Sequence, residues 1–363
     1  MADTTIATGD AIAVEQFMAS VFRQYRDKLV TRPYMGMSSE FPIQVNQDLA
    51  KRKGDALTFN LAGALTGAGV TGATTLEGAE EAQSYYAQRV EVNQVRNAVR
   101  IPWMSEQRTE FALMEEAKPA LTTWLAQKIE DDIFVELSKI NGVVYGSASE
   151  AQKDAWAADN VDRILYGAAT SNDQAGDNSA SLSQIDTTND ILDTDQISLA
   201  KRLAQLASPK IRPIRIDDGE EYFVLFAHPY CVRDLKSSSA WQQAQREAMP
   251  RGVNNPIFTG MAGIWDGVIV KETPKVLLLA GVGASSIDVA MNSLCGAQAL
   301  LFAQAGTRGG FVVDMVEEAF DYDDKIGVAI RSVYGIEKAA FKTNVTNACQ
   351  HGVVSVFSSA AAD

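Results

Sequence analysis

An α+β fold is what this sequence predicts, and three observations predict it. Ala117, Leu121, Leu125, Ile129, Ile133 and Leu137 recur every four residues, the spacing of one long amphipathic helix. Upstream, two stretches alternate apolar and polar residues on either side of a glycine-rich insert, as the arms of a long β-ribbon do. Near the carboxyl end, "FVVDMVEEAF" and "KIGVAIRSVYGIEKAAF" alternate as long strands.

Taken in order, residues 1–52 read as an N-terminal arm. Val14, Phe17, Met18, Val21, Phe22 and Tyr25 give Ala13–Leu29 helical spacing, and Pro33, Gly36 and Pro42 then break regular structure. Leu57, Phe59 and Leu61 alternate with Thr58 and Asn60, a half-exposed strand. From Tyr86 to Ile101, Val90, Val92 and Val95 are interleaved with Arg89, Glu91, Asn93 and Arg96, giving a second strand with room for a bulge.

Between these strands lies "LTGAGVTGATTLEGAEEA", Leu65–Ala82, in which Gly67, Gly69 and Gly72 fit the dinucleotide pattern G-x-G-x-x-G. That motif needs a buried parallel strand before it and a packed helix after it. Here the preceding strand is half polar, the following segment has almost no apolar face, and Glu77, Glu80 and Glu81 would repel a pyrophosphate. A dinucleotide-binding enzyme is therefore the weaker reading. The stronger one is a ribbon with an acidic tip, which two strands cannot stabilise alone and which is expected to lie across another subunit.

The helix is expected from Thr109 to Ile140, about 48 Å at 1.5 Å per residue. Pro119 marks a kink or a first turn, and Asn141-Gly142 a stop. Residues 147–195 are polar and read as a surface excursion. A mixed lobe follows: a buried strand at "YFVLFAH", a helix opened by Pro229, and capping-box spacing at Ser239–Gln242. Strands are expected at "GVIVKET" and "VLLLAG", and a short helix from Cys295 to Ala305. No internal repeat is found.

With 363 residues the chain can form two or three lobes with a substantial core. Its net charge of −14 argues against tight nucleic-acid binding through a broad basic face, although Phe22–Arg32 is locally basic. Three dispersed cysteines suit a reducing compartment. No apolar run approaches the ~20 residues of a bilayer span, and no secretory leader is evident.

No catalytic, cofactor-binding or metal constellation is expected. His228 and Cys231 lack the further ligands a metal needs, and no signature surrounds a Cys231/His351 or Cys349/His351 pair. "DYDDKIG" fails as a calcium loop at Lys325 and Ile326. Asp186, Asp190, Asp193 and Asp195 read as a solvated acidic loop in preference to a calcium site.

The order of parts, with "GDALTFNLAGALTGAGVTGATTLEGAEEA", "IPWMSEQRT", "FVLFAHPYCVRDLKSSSAWQQAQ", "NNPIFTGMAGIWDGVIVKE", "GAQALLFAQA" and "FDYDDKIGVAIRSVYGIEKAAF", resembles the major capsid proteins of tailed phages. These have the HK97-like fold, and the branch typified by phage N4 is the most similar. The resemblance implies an N-terminal arm (1–52), an extended β-hairpin E-loop (53–102), and a spine helix with the first part of a peripheral domain (103–149). An axial domain (150–300) and closing strands of both domains (301–363) complete it.

It further implies a non-enzymatic subunit that self-assembles into hexamers and pentamers of an icosahedral head around double-stranded DNA. Scaffolding, portal and decoration proteins would be further partners, with assembly in the host cytoplasm and no membrane partner. The short arm suggests that scaffolding is separate or absent. Inter-subunit contact candidates are Leu76 and Glu77 at the tip, Arg89 and Arg96 on the ribbon, and Trp241 and Phe258 in the axial lobe. Encapsulins, bacterial shells of the same fold, are the alternative that the resemblance leaves open.

Overall fold

In the computed structural model the described residues are 29–49, 54–62, 69–72, 75–78, 80, 85–109, 113–215, 221–247, 263–307, 312–322, 324–342 and 348–362. The expected arm helix, Leu29 excepted, lies outside them. Strand β1 (Ile43–Leu49) precedes the ribbon strands β2 (Ala56–Ala62) and β3 (Tyr85–Glu91). Next come β4 (Asn93–Pro102) and helix α1 (Leu113–Ser138). The middle of the chain supplies α2 (Glu150–Asp159), β5 (Ile164–Tyr166), α3 (Thr194–Leu206) and β6 (Glu221–Ala227). After it come α4 (Pro229–Ser237), α5 (Ser239–Glu247), β7 (Gly263–Trp265), β8 (Val268–Glu272) and β9 (Val289–Cys295). The last strands are β10 (Leu300–Ala305), β11 (Val313–Phe320), β12 (Lys325–Lys338) and β13 (Val353–Ser359).

Two sheets pack against α1. The first is organised by β12: β4 runs along one edge, while β10 and β11 pair with successive halves of the other. β1 extends it by parallel pairing with β10. The second sheet has the order β5-β13-β9-β6-β8-β7. Helix α1 sits between them because its apolar stripe is continuous: all six residues of the expected four-residue repeat are buried. Leu125, Ile129 and Ile133 meet Phe302, Val328 and Ile330 of the first sheet and Val224, Phe226 and Val353 of the second. Burying each such Leu or Ile contributes about 1.5–3 kcal/mol. The helix is described from Leu113, spans about 39 Å from there to Ser138, and runs through Pro119.

From Phe223 to Ala227 β6 is apolar without interruption because both its faces are covered there. Val224 and Phe226 face α1, while Phe223 and Leu225 pack with Ile197 of α3 and Val232 and Leu235 of α4.

Two expectations are corrected. Cys295–Ala305 is not a helix: Cys295 closes β9, and Leu300–Ala305 is a fully buried central strand. Residues 147–195 are not a surface excursion but a folded unit around Trp156 and Tyr166. Tyr166 stacks on Phe357 at 5.1 Å between ring centroids, with Trp156 edge-on to the same ring. Buried Asn178 ties this unit together, accepting from the Tyr145 hydroxyl at 2.6 Å and donating to the Tyr166 hydroxyl at 2.9 Å. "VLLLAG" is extended only at Leu278–Leu279.

Candidate assembly surfaces

The ribbon has a buried root and an exposed tip. β2 and β3 pair from Ala56↔Glu91 to Ala62↔Tyr85, so Leu57, Phe59 and Leu61 share one face with Val90. That face packs on Leu49, Leu301, Ala303 and Ala339 of the same subunit. Gln88 clasps the root to the end of β12, donating to Glu337 Oε2 (3.1 Å) and the Lys338 carbonyl (3.0 Å) and accepting from the Ala340 amide (3.0 Å). Gly335 permits the crossing, since a Cβ there would stand 1.9 Å from the Glu91 carbonyl oxygen. At Val92 the chain leaves the ribbon and enters the sheet as β4, so the single strand expected over Tyr86–Ile101 is two strands with separate partners. Nothing in the sequence marked Gln88 or Gly335, because their partners lie about 250 residues away along the chain.

The tip is open. Gly69, Gly72 and Gly78 have φ of 66°, 72° and 88°, with nothing within 4 Å of where a side chain would begin. Leu76 is 60% exposed, and Glu77 is exposed beside it. Residues 75–78 are coil and turn, so the helix a dinucleotide motif needs is not found among the described residues here. Gly67 lies outside the described residues. The described residues agree with the stronger sequence reading: Gly69 and Gly72 take left-handed backbone in an exposed tip.

The other contact candidates separate. Arg89 lies on the exposed ribbon face, 3.2 Å from Asp55 and 3.7 Å from Glu91. Arg96 is exposed on β4 opposite Arg331. Trp241 is corrected: at 3% exposure it is core, 6.3 Å from the Trp265 ring and packed with α3 and α4. Phe258 lies outside the described residues. Sequence reading passed over the free end of the first sheet, where Trp103, Met104, Phe320 and Tyr322 are exposed around the β11–β12 turn.

The chemistry that the sequence left open resolves into structure. His228 caps α4, its Nδ1 accepting from the Tyr230 amide at 3.3 Å. Burial pushes the Cys231 and Cys295 thiols up to about 12, so neither is a nucleophile near neutrality. Burial, then Arg212 and Arg163, hold His351 down to about 3.

The acids of 186–195 are caps and pins. Asp193 caps α3 through the Gln196 amide (2.8 Å), and Asp186 accepts from the Thr188 and Asn189 amides. Buried Asp190 accepts from Ala168, Asn172 and Asp186. Asp321 pairs with Lys325 at 2.6 Å across the β11–β12 turn. Among the described residues no group of three or more His, Cys, Asp or Glu side chains could hold a metal ion, and no helix is long and apolar enough to cross a membrane.

The sequence profile of the family described as "Phage capsid protein" matches residues 5–362. The chain belongs to the phage capsid protein family. The major capsid protein of Pseudomonas phage KPP25 is 29% identical over 369 residues, covering 93% of this chain and 92% of that one. The capsid of cyanophage Pam1 superposes with a TM-score of 0.80 at 31% identity over 100% of both chains. The capsid of Ralstonia phage GP4 gives a TM-score of 0.74 at 25% identity, covering 100% of this chain and 99% of that one. This capsid protein is a structural component of a phage head, not an enzyme, and its α+β fold is the HK97-like one implied by the sequence resemblance. Self-association into a shell is its activity, so surfaces that a lone subunit leaves uncovered are its functional sites.

Proposed function

We propose that the subunit assembles into hexamers and pentamers of an icosahedral head enclosing double-stranded DNA, with the ribbon acting as an E-loop that overlies a neighbour. The observation that carries this reading is the contrast within one hairpin between a root packed in its own subunit and a tip whose described residues include an exposed Leu76 and three glycines with nothing within 4 Å of a Cβ. A hairpin of that kind gains its missing burial from a second copy.

In this reading α1 is the spine helix. The arm is 1–52, the E-loop 53–102, the spine and first peripheral part 103–149, the axial domain 150–300, and the closing strands 301–363. The last ten residues of the E-loop segment, β4, then serve as its anchor in the first sheet, and the closing segment feeds both sheets. Leu76, Glu77, Arg89 and Arg96 remain the proposed contact residues. The net charge of −14 keeps packaged DNA from adhering to the wall. Portal, scaffolding and decoration proteins would join the shell during assembly in the host cytoplasm.

The test is deletion of Leu65–Glu81. The expected product is a folded monomer that fails to form particles in negative stain and light scattering. Particle formation at the undeleted yield would refute the E-loop role.

A further inference from the structure

The first sheet turns one face to α1, through Met315, Val328 and Ile330, and the opposite face outward. The ribbon root covers only part of that outward face, the end near Val333 and Gly335. Its other end is open. Residues in register share a face, so three rows of side chains lie there: Arg96–Arg331–Asp314, Ala98–Ala329–Val316, and Arg100–Gly327–Glu318. The floor is shallow, with Ala98, Ala329 and Gly327 along its centre and the Phe320 ring laid over Gly327.

The charges on this face are unbalanced. Arg96 stands directly opposite Arg331, an unfavourable cross-strand pairing. Arg331 is taken up by Asp314, its Nε donating to Oδ2 at 2.8 Å. Arg96 has no acidic partner among the described residues. Arg100 lies 4.6 Å from the Phe320 ring centroid. Arg331 is paired with Asp314 and Arg100 lies near Asp321, which leaves Arg96 uncompensated; an exposed sheet face bearing it calls for an acidic, slender partner from outside the subunit.

We propose that this open half-face is the seat for the ribbon tip of a second copy, with Glu77 and Glu80 against Arg96 and Arg100 and Leu76 on the Ala98–Ala329–Val316 floor. The proposal rests on the reading that the ribbon overlies a neighbour. Arg96 and Arg100 stand about 13 Å apart along their strand, and Glu77 to Glu80 reaches at most about 10 Å, a mismatch that arginine side chains span. Glu318 on the far strand repels the same acids, which orients the tip toward β4. The subunit's own tip heads elsewhere: from Glu91 at Gly335, the ribbon passes Gln88 at Glu337–Ala340, away from residues 327–331.

The experiment is a charge exchange in the full-length chain. Arg96→Glu with Arg100→Glu, and separately Glu77→Arg with Glu80→Arg, are expected to lower particle yield at least tenfold with the subunit melting temperature unchanged. The chain carrying all four changes is expected to recover to within threefold of the original. Normal assembly of either two-residue variant, or folded subunits that fail to recover when the four are combined, would overturn the seat. The Leu65–Glu81 deletion separates the two ideas: if it assembles normally the E-loop reading has failed, and if it alone blocks assembly only the seat has failed. Should the unmodified chain stay monomeric without auxiliary proteins, a labelled Leu65–Ala82 peptide titrated into it at low salt decides the same question. Binding weakened at least tenfold by Arg96→Glu/Arg100→Glu is expected, and unchanged binding overturns the proposal.

Discussion

Gly335→Ala tests how the ribbon is rooted. The added carbon would stand 1.9 Å from the Glu91 carbonyl oxygen, 2.9 Å from its carbonyl carbon and 3.3 Å from Val90 Cγ1. The first two are backbone atoms, so no rotamer relieves the clash, and the ribbon must lift by about 1 Å or more to restore van der Waals separation. Lifting strains the three Gln88 hydrogen bonds, each contributing about 0.5–1.5 kcal/mol net, and loosens the packing of Phe59 and Val90. A loss of about 3 kcal/mol corresponds to roughly 100-fold more frequent opening of the root. Amide hydrogen exchange over 85–91 reads this directly.

Gly327→Ala is the control. There the intruding carbon meets the Phe320 ring at 2.8 Å, a side chain that can swing aside, so exchange at the root should stay within about twofold. Unchanged protection of β3 in Gly335→Ala, or a larger loss in the control, would refute the rooting argument.

Two buried bases give pH-dependent predictions of defined sign. His351 is held down to about 3 by burial and by Arg212 and Arg163, whereas in the unfolded chain it takes up a proton near 6.5. The folded state therefore loses stability as pH falls from about 6.5 toward 3; His351→Gln should flatten the decline in thermal midpoint between pH 6.5 and 4, and parallel declines would count against it. Lys338 keeps some residue exposure, but its ammonium is sunk against the end of α1, donating to the Leu137 carbonyl at 3.1 Å, and burial lowers it to about 7. Between pH 7 and about 10.4 the unfolded chain holds a proton the folded one lacks, so this group's contribution improves as pH rises. Lys338→Met should gain most over the original at pH 7 and least near pH 10, and a gain that widens with pH would contradict the assignment.

Much of this architecture was legible because it rests on periodicity. The four-residue repeat from Ala117 to Leu137 and the alternation of Leu57, Phe59 and Leu61 each reported a single buried face. Where burial is two-sided the signal disappears: Leu300–Ala305 is buried at every position, so "LLFAQA" looks the same as a buried helix. The 147–195 unit failed for the opposite reason. Arg163, Asn178 and Asp190 count as solvent-loving residues, yet each is buried and bonded inside it. Of the assembly surfaces, the exposed acidic tip was readable from composition. Arg100 and the open face were not, because that face exists only once β4, β12 and β11 are set side by side from segments more than 200 residues apart.

That side-by-side arrangement makes β12 more than a core strand. Near Gly335 it roots the outgoing ribbon, and over 327–331 it floors the seat proposed for an incoming one. Its inner face packs Val328 and Ile330 on α1, and Tyr334 donates to Asp132 of α1 at 2.7 Å. A neighbour's tip on that seat would thus be joined, through one strand backed by α1, to the tip the subunit extends itself. Such contacts are heterologous, tip to face, and propagate around a ring instead of pairing two copies. Each can be weak, because a copy held at several points gains from effective concentration what one salt-screened arginine–glutamate pair lacks. Raising ionic strength should therefore dissolve the assembly sharply over a narrow range while leaving the buried root and the subunit fold intact. A gradual loss of particles in step with subunit unfolding would contradict this division between a tight root and a weak, repeated seat.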